Sequence, residues 1–202
     1  MRTTDLKHVD REFYSARLVR PAVVDVPEWP FLQVRGAGSP DGPAYQDAVA
    51  GLLPVAYALR AEVRARTGEV FVVMPLETLW GWPGSPAAPP PADRDEWAWT
   101  AMVRVPDAVT AEMVAEVLPT VHRPQARLHG IHYGRFREGQ SAQVMHLGRA
   151  DTRDAAVATL HRFIADRGGA PSGARHEIHL SDPRRVPADR VRTLIRQPFS
   201  VA

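Results

Sequence analysis

Two carboxylates, one imidazole and a group of tryptophans are the residues of this chain with chemistry to offer. Glu77 ends the segment Val72-Val73-Met74-Pro75-Leu76-Glu77, and Glu177 and His179 sit in His176-Glu177-Ile178-His179-Leu180-Ser181. Both segments read as strands. Alternation puts Met74, Leu76, Ile178 and Leu180 under a layer of helices and turns Val73, Pro75, Glu77, Glu177, His179 and Ser181 to the helix-free face. Acids and an imidazole at the centre of a sheet are unusual unless something polar or cationic visits them. A carboxylate so placed activates or orients a water, and a protonated imidazole polarises a carbonyl, which makes Glu177, His179 and Glu77 candidate catalytic residues. Trp97 and Trp99, two apart, share a face, and Trp80 and Trp82 flank the loop after Glu77. With Tyr133 across from them, Trp80, Trp97 and Trp99 form a candidate rim for a flat apolar ligand.

The elements that must hold these residues repeat. Val72–Glu77 matches His176–Ser181, and Met102-Val103-Arg104-Val105-Pro106 matches Leu194-Ile195-Arg196-Gln197-Pro198. Leu76 to Arg104 spans 28 positions and Leu180 to Arg196 spans 16; the difference of 12 equals the proline-rich run 83–94, which reads as a loop grafted into the first copy. Each copy places a helix before these strands. In the first, Tyr45, Val49, Leu52, Ala56, Leu59 and Val63 recur as one buried stripe, with Pro54 expected to kink it. In the second, Asp151 or Thr152 caps a helix with stripe Ala156, Leu160, Phe163 and Ile164, stopped at Gly168-Gly169.

Before each helix a hairpin is expected: Val23 to Val26 turning through Pro27-Glu28-Trp29-Pro30 into Phe31 to Gly36, and Ile131 to Phe136 turning through Glu138-Gly139 into Ala142 to Gly148. A helix over about 110–121 links the copies, and a short amphipathic helix around Leu6, Val9 and Phe13 opens the chain. The expected fold is α+β: one domain over 1–202, a first repeat of about 21–106 and a second of about 126–199 paired about a pseudo-twofold axis. Its antiparallel sheets carry helices on one face and leave a central cleft.

Composition narrows the function. The 202 residues are 45% hydrophobic and 24% charged, with no cysteine, which excludes a disulfide scaffold, a zinc–cysteine site and thiol catalysis. No apolar stretch approaches the ~20 residues of a bilayer crossing and no export signal opens the chain, so a soluble, cytoplasmic protein is expected. The net charge is only +2, and basic residues alternate with acids rather than forming a stripe. About thirty residues precede the first sheet strand, too few for a winged helix, so no direct nucleic-acid partner is expected. His176 and His179 point to opposite faces of a strand, as do His129 and His132, so no metal site is expected. Gly36-Ala37-Gly38 is a turn rather than a dinucleotide fingerprint, and no phosphate loop or Gly-x-Ser-x-Gly elbow occurs. No cofactor is implied.

The stretches Val72–Glu77, Trp97-Ala98-Trp99-Thr100, His176–Ser181 continuing through Asp182-Pro183-Arg184-Arg185, and Ile195-Arg196-Gln197-Pro198 resemble, in order and over nearly the whole chain, the GyrI-like small-molecule-binding proteins. The likeness is closer to the stand-alone branch with the Leu-Ser-Asp-Pro-Arg-Arg ending than to the effector-binding domains fused to transcription activators. It implies a duplicated strand-helix-strand-strand (SHS2-type) fold around a central cleft. In the multidrug-responsive activators the carboxylate at the place of Glu177 meets cationic drugs. Members of the stand-alone branch are hydrolases that open the cyclopropane of DNA-alkylating natural products, using an aromatic cage.

Trp80, Trp97, Trp99 and Tyr133 are then candidates for the cage, Glu177 for the base with Glu77 second, and His179 for the group that polarises the carbonyl. No covalent enzyme intermediate is required. Three functions stay open: a hydrolase that detoxifies planar cyclopropane-bearing xenobiotics and so confers drug resistance, a non-catalytic protein that binds or senses many drugs, and an inhibitor of a partner such as a topoisomerase.

Overall fold

The computed structural model describes residues 3–18, 20–84, 88, 90–121, 128–182 and 184–201. The onset of the second repeat near 126, the middle of the proline-rich run and Pro183 lie outside the described residues. In chain order the elements are β1 (Thr3–Thr4), α1 (Leu6–Val9), α2 (Arg11–Tyr14), β2 (Ala22–Ala37), α3 (Pro43–Thr67), β3 (Val70–Phe71), β4 (Leu76–Gly81), β5 (Ala98–Arg104), α4 (Ala111–Val117), β6 (His132–Leu147), α5 (Asp154–Ala165), β7 (Gly169–Pro171), β8 (Arg175–His179) and β9 (Arg192–Val201).

Six antiparallel strands close on themselves in the order β2–β5–β4–β8–β9–β6, with β6 returning to β2. The fold is α+β and GyrI-like, with its sheet closed into a barrel. The two expected hairpins are replaced by two long strands of 16 residues each. Pro27 and Pro30 do not turn the chain, because β2 and β6 keep one register from Ala22↔Gln143 to Gln33↔His132, with the pairing skipped only at Pro27. Proline tolerates an extended backbone and only removes a donor. Gly139, at φ 72°, stays within β6 opposite Val26 where a turn was expected. Each long strand thereby serves two neighbours: β2 pairs β6 and β5, and β6 pairs β2 and β9.

α3 forms because its apolar positions recur on one face: Tyr45, Ala48, Leu52, Val55, Ala56, Leu59 and Val63 are buried. The helix runs continuously through Pro54 and ends at Gly68, whose left-handed φ of 73° lets its N–H donate to the Arg64 carbonyl. α5 buries Leu160 and Ile164, and neither Asp151 nor Thr152 caps it; its N-cap is Arg153.

Matching the halves strand for strand, β2 with β6, β4 with β8 and β5 with β9, preserves every register when Ala22 is laid on His132, Leu76 on Arg175 and Ala98 on Arg192. Under this match the left-handed glycines Gly38 and Gly148 also correspond. Thr78 falls on Glu177, and these two residues face each other across β4 and β8, so the pseudo-twofold axis passes between them. Glu77 falls on His176.

α3 packs mainly on β2, β5 and β3, and α5 on β6, β7 and β9. The outer surfaces of β4 and β8 thus lie between the two helices as a narrow trough along the axis, filled over its floor residues Thr78, Trp80, Arg175 and Glu177, which are all buried. α1 and α2 sit against the inner surface of the ring, where the Tyr14 side chain and main-chain carbonyls of α2 meet side chains of β4, β6 and β9.

Candidate functional site

Register decides which surface each candidate residue reaches. Glu77 stands opposite Ile178, and Thr78 opposite Glu177. Cross-strand partners share a face, so Glu77 points into the ring while Glu177 and His179 point out, onto the side that carries the helices. The expectation that all three share one helix-free surface is therefore corrected: Glu177 and His179 share a surface, but it is the one that carries α3 and α5, and Glu77 lies on the other. Glu177 is also not a free carboxylate awaiting a cation. Its Oε2 is bonded by Arg153, and its Oε1 lies 3.4 Å from the Arg175 guanidinium.

The trough is built around this ion pair. Its floor carries Thr78, Trp80, Arg175 and Glu177, Trp80 and Arg175 being cross-strand partners. From the α3 side, the Tyr45 hydroxyl lies 2.7 Å from Thr78 Oγ1, and burial pushes the phenol up to about 12 despite that bond. From the α5 side, Arg153 reaches down to Glu177.

The tryptophans adjoin Tyr45. Its ring is 5.1 Å from Trp80 and 5.3 Å from Trp99, and Trp97 lies 5.7 Å from Trp80 and 5.9 Å from Trp82. Trp80, Trp97 and Trp99 are buried and continuous with the core. The Trp99 ring lies over Gly36, where a Cβ would overlap it. A shallow cavity of about 300 Å³ borders Trp99, lined also by Val34, Arg35, Ala48, His129 and Gly130. Tyr133 stands on β6 opposite Leu32, half-buried, and no stacked or edge-on ring pair joins it to the tryptophans among the described residues. The structure thus brings Glu177, His179 and Trp80 together with the other tryptophans, and leaves Glu77 and Tyr133 elsewhere.

His179 is held neutral. Burial lowers it to about 4 against the opposing pull of Glu177, and Nε2 has no hydrogen-bond partner among the described residues. The role of a protonated electrophile, expected from the sequence, does not fit this environment. Sequence reasoning missed Tyr45, Arg153 and Arg175. For Arg153 a signal existed, since a cation at the start of a helix opposes the helix dipole and needs another reason to be there.

The inner surface carries a separate cluster. His176 Nε2 lies 3.0 Å from Glu77 Oε2, and Nδ1 lies 3.0 Å from Glu138 Oε2. Arg196 donates to Glu138 at 2.7 Å and to Gln143 at 3.1 Å, and also to the Phe13 carbonyl. Gln143 donates to the Glu12 carbonyl at 2.7 Å. Tyr14 donates to Glu77 at 3.1 Å, and Arg104 lies over the Trp29 ring at 3.5 Å while bonding Asp10. Burial alone would lower His176, but Glu138 and Glu77 on either side outweigh it and raise it to about 9. Burial opposes the charged form of Glu138, yet His176 and Arg196 bring it down to about 2. Two carboxylates and two cations balance in this interior, which is how such a buried set survives.

Neither a protein-family model nor a curated protein matches this chain. Solved structures do. An uncharacterized conserved protein from Listeria innocua is 34% identical, with a TM-score of 0.89 over 97% of this chain and 99% of the other. A hydrolase from Listeria innocua is 33% identical, with a TM-score of 0.86 over 98% of this chain and 100% of the other. The C-terminal domain of EcmrR, at 13% identity and a TM-score of 0.57 over 91% of this chain and 98% of the other, shares the fold.

Proposed function

The chain belongs to the family of the Listeria innocua proteins with which it aligns from end to end, and on that premise we propose that it is a hydrolase acting on a planar aromatic small molecule held in the trough between α3 and α5. The observation that carries this reading is Glu177: a carboxylate whose side chain is 1% exposed, on the axis of the fold, next to Trp80 and within reach of two guanidinium groups.

The reaction this setting serves is addition of water to an activated cyclopropane, as found in DNA-alkylating natural products. Water attacks the ring carbon, the strained carbon–carbon bond breaks, and its electron pair moves through the conjugated ring to a carbonyl oxygen, which becomes a phenolate. The proton lost by the water passes to Glu177 and from there to the phenolate, so the net change is addition of one water. Positioning and charge stabilisation suffice for such a step, and no covalent intermediate forms. Trp80, with Trp97 and Trp99 behind it, supplies the flat surface. His179, held neutral by burial, takes no proton in this step and leaves Glu177 as the base. Glu77, facing the ring interior, and Tyr133, on β6, take no part in this step.

The experiment is mass spectrometry after mixing the protein with a cyclopropane-indole alkylator. A ring-opened adduct heavier by one water, whose formation Glu177→Gln slows by a larger factor than it changes ligand affinity, is the expected result. Unchanged drug at high protein concentration supports instead a non-catalytic protein that binds or senses such drugs. One observation favours that second reading: Glu177 is already paired with Arg153 and Arg175, and an arginine must yield before the carboxylate can take a proton.

A further inference from the structure

We propose that the trough selects planar ligands that present an acceptor oxygen, neutral or anionic, and discriminates against cations, with Arg175 and Arg153 as the residues that read this oxygen. The inference rests on the trough being the ligand site and adds the chemistry of what enters it. It departs from the cation-binding carboxylate that resemblance implied for Glu177.

Charge on the trough floor points this way. One carboxylate, Glu177, faces two guanidinium groups, and His179 and Tyr45 contribute no charge. Asp154, the other acid beside Arg175, is exposed and screened by water. The buried sum is one positive charge, so an incoming cation meets repulsion where a carbonyl or phenolate meets attraction.

Hydrogen-bond accounting agrees. The Nε–H groups of Arg153 and Arg175 and the indole N–H of Trp82 are buried with no hydrogen-bond partner among the described residues. All three are donors only, so each lacks an acceptor and none can serve a cation. Arg175 is well placed to supply such contacts: its side chain is 9% exposed, its guanidinium carbon lies 5.4 Å from the Trp82 ring centroid, and its cross-strand partner is Trp80. A guanidinium flanked by indoles reads a flat molecule by its edge oxygen while the rings cover its face. In the proposed reaction this oxygen is the carbonyl that becomes a phenolate, so Arg175 and Arg153 occupy the electrophilic role that neutral His179 cannot fill.

The test is equilibrium binding to the full chain, followed by tryptophan fluorescence, of three probes of one ring size: 2-naphthoate, 1,4-naphthoquinone and 2-naphthylmethylammonium. Naphthoate and naphthoquinone are expected to bind at least about tenfold tighter than the ammonium. Arg175→Gln, and separately Arg153→Gln, should shrink that preference to about twofold or less, with far-ultraviolet circular dichroism verifying the fold. An ammonium probe bound as tightly as the others overturns the inference while leaving the trough as the ligand site. A preference that survives both substitutions overturns the assignment to the two arginines. Failure of all three probes to bind removes the inference and the proposed site together. The wild-type series decides the charge question even where a variant does not fold.

Discussion

Glu77 of β4 and His176 of β8 occupy equivalent positions in the two halves of the fold and meet across its axis at 3.0 Å. Duplication has thus placed an acid in one copy and a base in the other where the copies touch. On the opposite surface of the same two strands, Thr78 and Glu177 face each other in the same relationship. The axis therefore carries two distinct polar pairs, a sealed one inside the ring and another in the trough.

The sealed pair should be a large stability determinant. His176→Phe leaves Glu77 and Glu138 without the cation between them, and breaking such a buried set costs about 3–5 kcal/mol. Urea unfolding of the purified variant measures it. A loss below about 1 kcal/mol would mean that water reaches the interior and takes over the role of the imidazole.

The same residue sets an alkaline limit. His176, raised from 6.5 to about 9, contributes its full stabilisation below pH 6.5 and loses it as pH climbs through 9. Glu138, depressed from 4.5 to about 2, contributes above 4.5 and loses its share as pH falls through 2. His179, lowered from 6.5 to about 4, costs stability as pH falls from 6.5 towards 4. Maximum stability is expected near pH 6.5, with a decline on the order of 3 kcal/mol by pH 9. Urea midpoints from pH 6 to 9.5 should fall for the wild type and stay nearly flat for His176→Gln; parallel slopes would assign the decline to another group.

Gly36 is expected to resist substitution. A Cβ there overlaps the six-membered ring of Trp99, which Tyr45 holds edge-on at 5.3 Å. Gly36→Ala should destabilise the protein by roughly 1–3 kcal/mol through overpacking and shift the tryptophan emission, since Trp99 must move. Calorimetry and fluorescence spectra check both. An unchanged spectrum would show that the backbone of β2, not the indole, gives way.

At the trough, Tyr45→Phe removes the 2.7 Å bond to Thr78 and keeps the ring contacts with Trp80 and Trp99. The expected loss is about 0.5–1.5 kcal/mol. Tyr45→Ala should cost about 3–5 kcal/mol, the value for truncating a buried aromatic ring. Comparable losses from the two variants in thermal unfolding would contradict this division between hydroxyl and ring.

Much of this architecture is legible in the residues, and the failures have physical causes. The stripe from Tyr45 to Val63 marks α3, and Gly68 and Gly168 mark helix ends because their left-handed backbones, φ 73° and 69°, suit glycine. The long strands were hidden by Pro27 and Pro30, which resemble a turn unless it is known that β6 runs alongside. The placement of Glu77 failed for a subtler reason. Aligning Val72–Glu77 on His176–Ser181 equates Glu77 with Ser181, whereas the sheet equates it with His176. The slip of 181 − 176 = 5 residues is odd, and an odd slip exchanges the two surfaces of a strand. Local similarity of apolar residues could not reveal this, because both surfaces of these strands are buried.

Phe13 and Arg196 are separated by 183 positions, yet the guanidinium of one donates to the carbonyl of the other. Synthesis delivers the early α2 turn long before the strand that receives it, so on the ribosome Glu12 and Phe13 must wait, solvated, for nearly the whole sequence to emerge. Contacts of such long range are slow to form. The inner cluster can therefore assemble only as a last, collective event, and nascent chains stalled before β9 would leave α2 without the Arg196 side chain that ties its Phe13 carbonyl to the ring.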